Sequence, residues 1–270
     1  MPGWPAEMPI PLCTDEMLDA HLAALGLKAG HHVCVHSRLL SLGRLPDGAG
    51  PVLAALRRAV GEMGTIVVPS YTFDIGESDL FDPQATAPQG MGALSDHVWS
   101  LKTAVRSACP IHSHLALGAK APLLAGISGG DSMGPASDFA LFRREGFHLL
   151  MLGLSFTMGA SYMHHVEDIQ AVPYRGELAL SRRRRDADGT VRPMVVRYYG
   201  YLSSEMRNGR RSWTENYDVV EERMAGDGSL VRVPCPFVAH SSYCAIEDVH
   251  RTAAAMVAAD PYCMVLRNVD

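Results

Sequence analysis

The segment FHLLMLGLSF at 147–156, followed closely by SYMHHVEDI at 161–169, decides how this chain is read. The first stretch is apolar almost throughout and too short for a long helix, which predicts a strand buried on both faces. The second reads as a helix. A buried strand, a loop containing glycine and a helix in that order make one unit of an α/β layer. In such layers functional groups collect beyond the strand ends.

Working outward, GTIVVPSYTF (64–73) reads as a second buried strand, rich in β-branched residues, and HHVCVHS (31–37) as a shorter one. DEMLDAHLAALGL (15–27) has apolar residues at helical spacing behind a Thr14 N-cap. PVLAALRRAV (51–60) opens a helix with proline at its first position. GALSDHVWSL (92–101) and DFALFRREG (138–146) are further helices. The stretches 74–92 and 126–135 read as long loops, a length at which loops are often functional. After Pro173 the character changes. A DADG turn at 186–189 between Arg-rich and Val/Tyr-rich flanks predicts a β-hairpin over 186–202. A helix at 216–226, a strand in SLVRV and an amphipathic helix at 246–260 follow. The fold expected is α/β, a layered sheet with helices on both faces, plus a C-terminal β-hairpin/helix region. No repeat or apolar-poor linker divides residues 1–270, which are read as a single domain.

Lys plus Arg is 24 and Asp plus Glu is 29, a formal charge of −5, with 47% hydrophobic and 20% charged residues. That balance excludes disorder and collagen-like repeats. It offers no excess of cation for nucleic-acid phosphates, and it suits a cationic substrate. The longest apolar stretch, Leu149 to Ala160, is too short to span a membrane. The opening MPGWP has no signal-peptide pattern, and the six cysteines form no CxxC pair. A reduced, cytoplasmic protein is the expectation.

Four segments could carry chemistry. In MHHVED, His164 and Glu167 fall at i and i+3, on one helix face. A carboxylate there raises imidazole basicity and sets its tautomer, the makings of a general base. A metal-dependent hydrolase using His164, His165 and Asp168 is the alternative, without HExxH spacing to support it. In VHSRLLSLG (35–43), a strand runs into Ser37 and a helix start whose free N–H groups would favour phosphate, with Arg38 assisting. In RSACPIHSH (106–114), Arg106 and Ser107 could bind phosphate, while Cys109 and His112 could be a nucleophile and its base. The run Arg182–Arg185 reads as a solvated edge, or as a contact for phosphate or an acidic partner, a reading that neutralisation by Asp186 and Asp188 weakens. GxGxxG and GxxxxGK[ST] are both absent.

Taken in order, VHSRLLSLG, AVGEMGTIVVPSYTF (59–73), FDP (81–83), MGALSD (91–96), RSxxP with a following HS (106–113), LLMLGLSFT (149–157) and SYMHHVED (161–168) resemble the aminoglycoside 3-N-acetyltransferase family, within the antibiotic N-acetyltransferase superfamily. The resemblance covers nearly the whole chain. It implies that residues 1–270 form an acyl-CoA-dependent N-acyltransferase domain, moving an acyl group, acetyl in the main reading, to an amine of an amino sugar without a metal. The family's T-x-x-H-x-x-E pattern places the catalytic pair on His164 and Glu167, with Ser161 for the threonine. Its HxSL turn, which meets the coenzyme, falls on His36, Ser37, Arg38 and Leu39, and RSxHP keeps Arg106, Ser107 and Pro110 with Cys109 for its histidine. VPYR at 172–175 is reminiscent of biosynthetic members that act on nucleotide-linked amino sugars or natural-product amines. The mechanism implied is direct transfer in a ternary complex. His164 takes the amine proton, and backbone N–H groups near Ser37 and the Ser161 hydroxyl meet the oxyanion. The partners expected are a small amine acceptor and acyl-coenzyme A, with no nucleic acid or membrane.

Overall fold

The computed structural model describes residues 9–202, 206–207 and 210–268. The first half contributes α1 (Asp15–Ala24), β1 (His32–Ser37), α2 (Gly50–Val60), β2 (Thr65–Pro69), β3 (Leu80–Phe81), α3 (Ala93–Ser100), β4 (Val105–Arg106), β5 (His114–Gly118) and α4 (Ala121–Ala125). Next come α5 (Asp138–Arg144), β6 (His148–Leu152), α6 (Phe156–Gly159), α7 (Tyr162–Ile169), β7 (Arg175–Arg185) and β8 (Val191–Tyr201). The chain ends with β9 (Met206–Arg207), β10 (Arg210–Arg211), β11 (Trp213–Glu215), α8 (Asp218–Asp227), β12 (Val231–Pro234), β13 (His240–Ala245), α9 (Ile246–Ala259) and β14 (Val265–Arg267).

Seven strands form the central sheet in the order β12-β13-β6-β1-β2-β5-β4. The three central strands β6, β1 and β2 run parallel, and antiparallel strands flank them on both sides. The two-residue period of a strand divides the core between the faces. Val33, Val35, Ile66, Val68, Leu150 and Leu152 point to one side, where they meet α1, α2 and α3. Cys34, Val67, Leu149 and Met151 point to the other, against α5, α7, α8 and α9. This is the layered α/β arrangement expected, with helices on both faces. The hairpin also forms: β7 and β8 pair antiparallel from Arg175↔Tyr201 to Arg185↔Val191, with Gly189 at φ 82 in the turn. No helix among the described residues is long and apolar enough to cross a membrane.

Three local outcomes differ from expectation. The helix read after Ser37 is a single 3-10 turn, Leu39–Leu42, because Gly43 at φ 116 turns the chain away. Residues 105–118, where no strand is read from the sequence, contain the edge strand β4 and its inner neighbour β5. β13 escapes a hydrophobicity reading because its buried centre holds Ser241 and Ser242. Ser241 is satisfied there by the Gly153 N–H at 3.0 Å and by His21 Nε2 at 2.8 Å.

Candidate active site

The chain leaves β6 through the one-turn α6, whose Phe156 and Thr157 N–H groups donate to Glu221 and Asp218 of α8 at 2.9 and 2.8 Å. It then enters α7, whose Tyr162, Met163 and Val166 anchor in the core. That anchoring orients His164 and Glu167. Glu167 is fully buried, while the His164 side chain keeps 22% exposure.

Nδ1 of His164 lies 2.9 Å from Glu167 Oε2. The Tyr217 phenol lies 2.9 Å from the same nitrogen and donates to Oε2 at 3.1 Å. Oε1 accepts from the Tyr174 hydroxyl at 2.8 Å. Arg175 Nε stands 2.8 Å from Oε2 as an ion-pair partner. Burial favours the neutral acid most strongly, but the His164 hydrogen bond, the Arg175 charge and the Tyr174 hydroxyl together outweigh it. The Glu167 pKa therefore sits below its ordinary value. An ionised carboxylate only accepts, so Nδ1 carries the proton and Nε2 presents its lone pair. Nε2 has no hydrogen-bond partner among the described residues.

Tyr217, at the entry to α8, was not anticipated from sequence; fifty-three residues separate it from His164. Burial, then the Glu167 charge, push its pKa up, so the phenol stays protonated. Tyr174 and Arg175 belong to the VPYR segment, whose spacing gave no sign of their shared carboxylate.

The coenzyme-side residues divide. Ser37, Arg38 and Leu39 stand half-buried at the carboxyl end of β1. The Arg38 N–H is already given to Leu152 O at 2.9 Å. With only one 3-10 turn beyond it, the helix N-terminus expected for a diphosphate does not form. His36 is buried, and its Nε2 has no partner. Burial, with His114 nearby, drives its pKa to about 3, so it is a neutral ring. Ser161 lies half-buried at the start of α7, while the Tyr71 hydroxyl pairs with His114 Nε2 at 3.1 Å.

Arg106 and Ser107 are engaged in hydrogen bonds within the protein. The Arg106 guanidinium donates to Ser70 Oγ, Ser113 Oγ, Ser70 O and Thr86 O, tying β4 to β2 and to the loop before α3. Its burial lowers its pKa to about 10. Ser107 is fully buried, donating to Asp138 and accepting from the His114 N–H at 2.9 Å. Arginine and serine in a loop suit phosphate, the ground for expecting both at the coenzyme; here each also serves as a brace, Ser107 fully buried and Arg106 at the border of a cavity.

The two alternative chemistries lose their parts. Cys109 is 2% exposed, and burial pushes its thiol up to about 11. His112 is engaged with Ser132 Oγ at 2.6 Å. His165 Nδ1 donates to Met133 O at 2.5 Å, and both Asp168 oxygens are held by Arg197 at 2.6 and 2.7 Å. Among the described residues no group of three or more His, Cys, Asp and Glu side chains is arranged to hold a metal ion. In the arginine run, Arg184 pairs with Asp186 at 2.7 Å as expected, whereas Arg185 pairs with the distant Asp82 at 3.1 Å and Asp188 stands 3.8 Å from Arg192.

Comparison with known proteins agrees with this architecture. Residues 34–236 match the family described as aminoglycoside 3-N-acetyltransferase. Aminoglycoside N(3)-acetyltransferase VII of Streptomyces paromomycinus is 29% identical over 237 residues, 81% of this chain and 75% of that protein. The crystal structure of aminoglycoside acetyltransferase AAC(3)-Xa superposes with TM-score 0.77 at 24% identity, covering 90% of this chain and 92% of that one. AAC-IIIb, solved as a binary complex with CoASH, gives TM-score 0.74 at 23% identity over 90% and 96%. Identities of that order establish the shared fold. Fold and relatives together define an acyltransferase. The chain belongs to the aminoglycoside 3-N-acetyltransferase family.

Proposed function

We propose that this protein transfers an acyl group, acetyl in the first instance, from acyl-coenzyme A to an amine of an aminoglycoside or related amino sugar, in a ternary complex. The observation that supports this reading is the buried, ionised Glu167 holding His164 Nδ1 at 2.9 Å with Nε2 left open. The amine nitrogen attacks the thioester carbonyl; the C–N bond forms and the C–S bond breaks. The amine proton passes to Nε2 and then to the departing thiolate, so the products are an amide and free coenzyme thiol. Glu167 and Tyr217 orient the ring and stabilise its charged form. A base so positioned contributes about 10²–10⁴-fold. AAC-IIIb with CoASH supports a coenzyme donor by its likeness of fold. Ser37, Arg38, Leu39 and the unpartnered His36 Nε2 at the end of β1 are the groups assigned to the coenzyme, and the Ser161 hydroxyl is assigned to the oxyanion.

The test is His164→Ala. Thiol release from acetyl-coenzyme A in the presence of amine should vanish while calorimetric coenzyme binding persists. Turnover at the wild-type kcat would refute the assignment.

A further inference from the structure

Arg175 opens β7, in register opposite Tyr201 of β8. Its side chain is 3% exposed, and that of Glu167 not at all. The Nε nitrogen stands 2.8 Å from Glu167 Oε2 but completes no hydrogen bond. The contact is therefore one of charge, and burial away from water strengthens it. The guanidinium carbon lies 4.3 Å from the centre of the Tyr201 ring, and a terminal nitrogen donates to Glu215 Oε1 of β11 at 3.4 Å. Glu215 is answered in turn by Arg211 of β10 at 2.8 Å.

The other titratable groups around the His164–Glu167 pair are neutral or already matched. Burial is the first cause that pushes the pKa values of Tyr174, Tyr201 and Tyr217 up, so all three phenols stay protonated. Burial, then the charges of His164, His114 and Arg175, push His112 down, so that ring is uncharged. Asp168, one turn beyond His164, has both oxygens held by Arg197. The charge that faces Glu167 unopposed is that of Arg175. A carboxylate alone draws a proton onto a neighbouring imidazole. A ring protonated in advance has no lone pair to offer an amine. Arg175 offsets that pull, because Glu167 and Arg175 together are neutral, while the carboxylate keeps its hydrogen bond to Nδ1.

We propose that Arg175 is a positioning residue for acyl transfer, its buried charge keeping the His164–Glu167 pair from taking up a proton before the amine delivers one. This rests on His164 as the base and deepens that reading.

The test follows the His164 ring resonances against pH by NMR, assigned by their loss in His164→Ala, in variants of opposite sign. Arg175→Met removes the cation and should raise the midpoint at which the pair takes up its proton by about one pH unit. Glu215→Gln removes the anion that shares Arg175 and should lower the midpoint, by less. Arg175→Lys keeps the charge and should restore the wild-type midpoint. In turnover of acetyl-coenzyme A with kanamycin, the acid limb of kcat/KM should move with the midpoint. An arginine that only ties β7 to α7 would cost stability and leave the midpoint in place. A midpoint unmoved in Arg175→Met, one that moves the same way in both variants, or an acid limb that stays put overturns the inference and leaves His164 standing as the base. If Arg175→Met does not fold, Glu215→Gln decides, and an unmoved or raised midpoint there overturns it. Wild-type turnover in His164→Ala overturns the base reading and this inference together.

Discussion

The Tyr217 phenol oxygen sits 2.9 Å from Nδ1 of His164 and 3.1 Å from Glu167 Oε2, closing a three-membered set that the helix alone presents as a pair. The imidazole is thereby held by two groups from different parts of the chain. A helix i,i+3 contact leaves ring rotation soft; a second contact from α8's entry restricts it.

Tyr217→Phe should lower kcat about tenfold, the scale of one hydrogen bond near a charged group, with the KM values for both substrates little changed. Steady-state kinetics on the variant decide it. Loss appearing in KM alone would make Tyr217 a substrate contact instead of a positioning residue.

Glu167 has a folded pKa below its ordinary 4.5. Its contribution to stability is full above that ordinary value and is lost as pH falls through the depressed one. The Tm of the wild type should therefore drop on acidification below about pH 4.5, and Glu167→Gln should flatten that limb. Scanning calorimetry from pH 7 to pH 3 measures both.

Arg106→Gln should destabilise the fold by ~2 kcal/mol or more, because it leaves Ser70 O and Thr86 O without their charged donor. The KM for acetyl-coenzyme A should stay within about twofold, since only an interaction made with substrate changes it. Urea unfolding and kinetics on the same preparation separate the brace from a phosphate ligand.

Cys109, buried and with its thiol at about 11, should resist iodoacetamide at pH 8. The half-buried Cys235 and Cys263 should label first. Cys109→Ala should keep kcat within about twofold. Peptide mapping after labelling reads out the order.

The elements legible in the chain are those whose cause is local. An apolar run such as LLML declares a buried strand because its neighbours along the chain already supply the period and the length. His164 and Glu167 were found for the same reason: three residues on a helix suffice to bring them together. The DADG turn likewise carries its own instructions, with Gly189 at φ 82.

What sequence spacing could not convey depends on groups brought near by packing. Arg106 and Ser107 have the side chains of a phosphate loop, yet the pairing of β4 with β5 turns them into the interior. Tyr217, Tyr174 and Arg175 reach one carboxylate from segments whose spacing implies no meeting. Asp168 looks like a ligand until Arg197 of the hairpin crosses over it. Burial and pairing are properties of surfaces in contact, and contacts between distant segments are set by how sheets and helices stack. Local propensity names the helix that bears the imidazole; long-range packing establishes which charges around it remain available to a substrate.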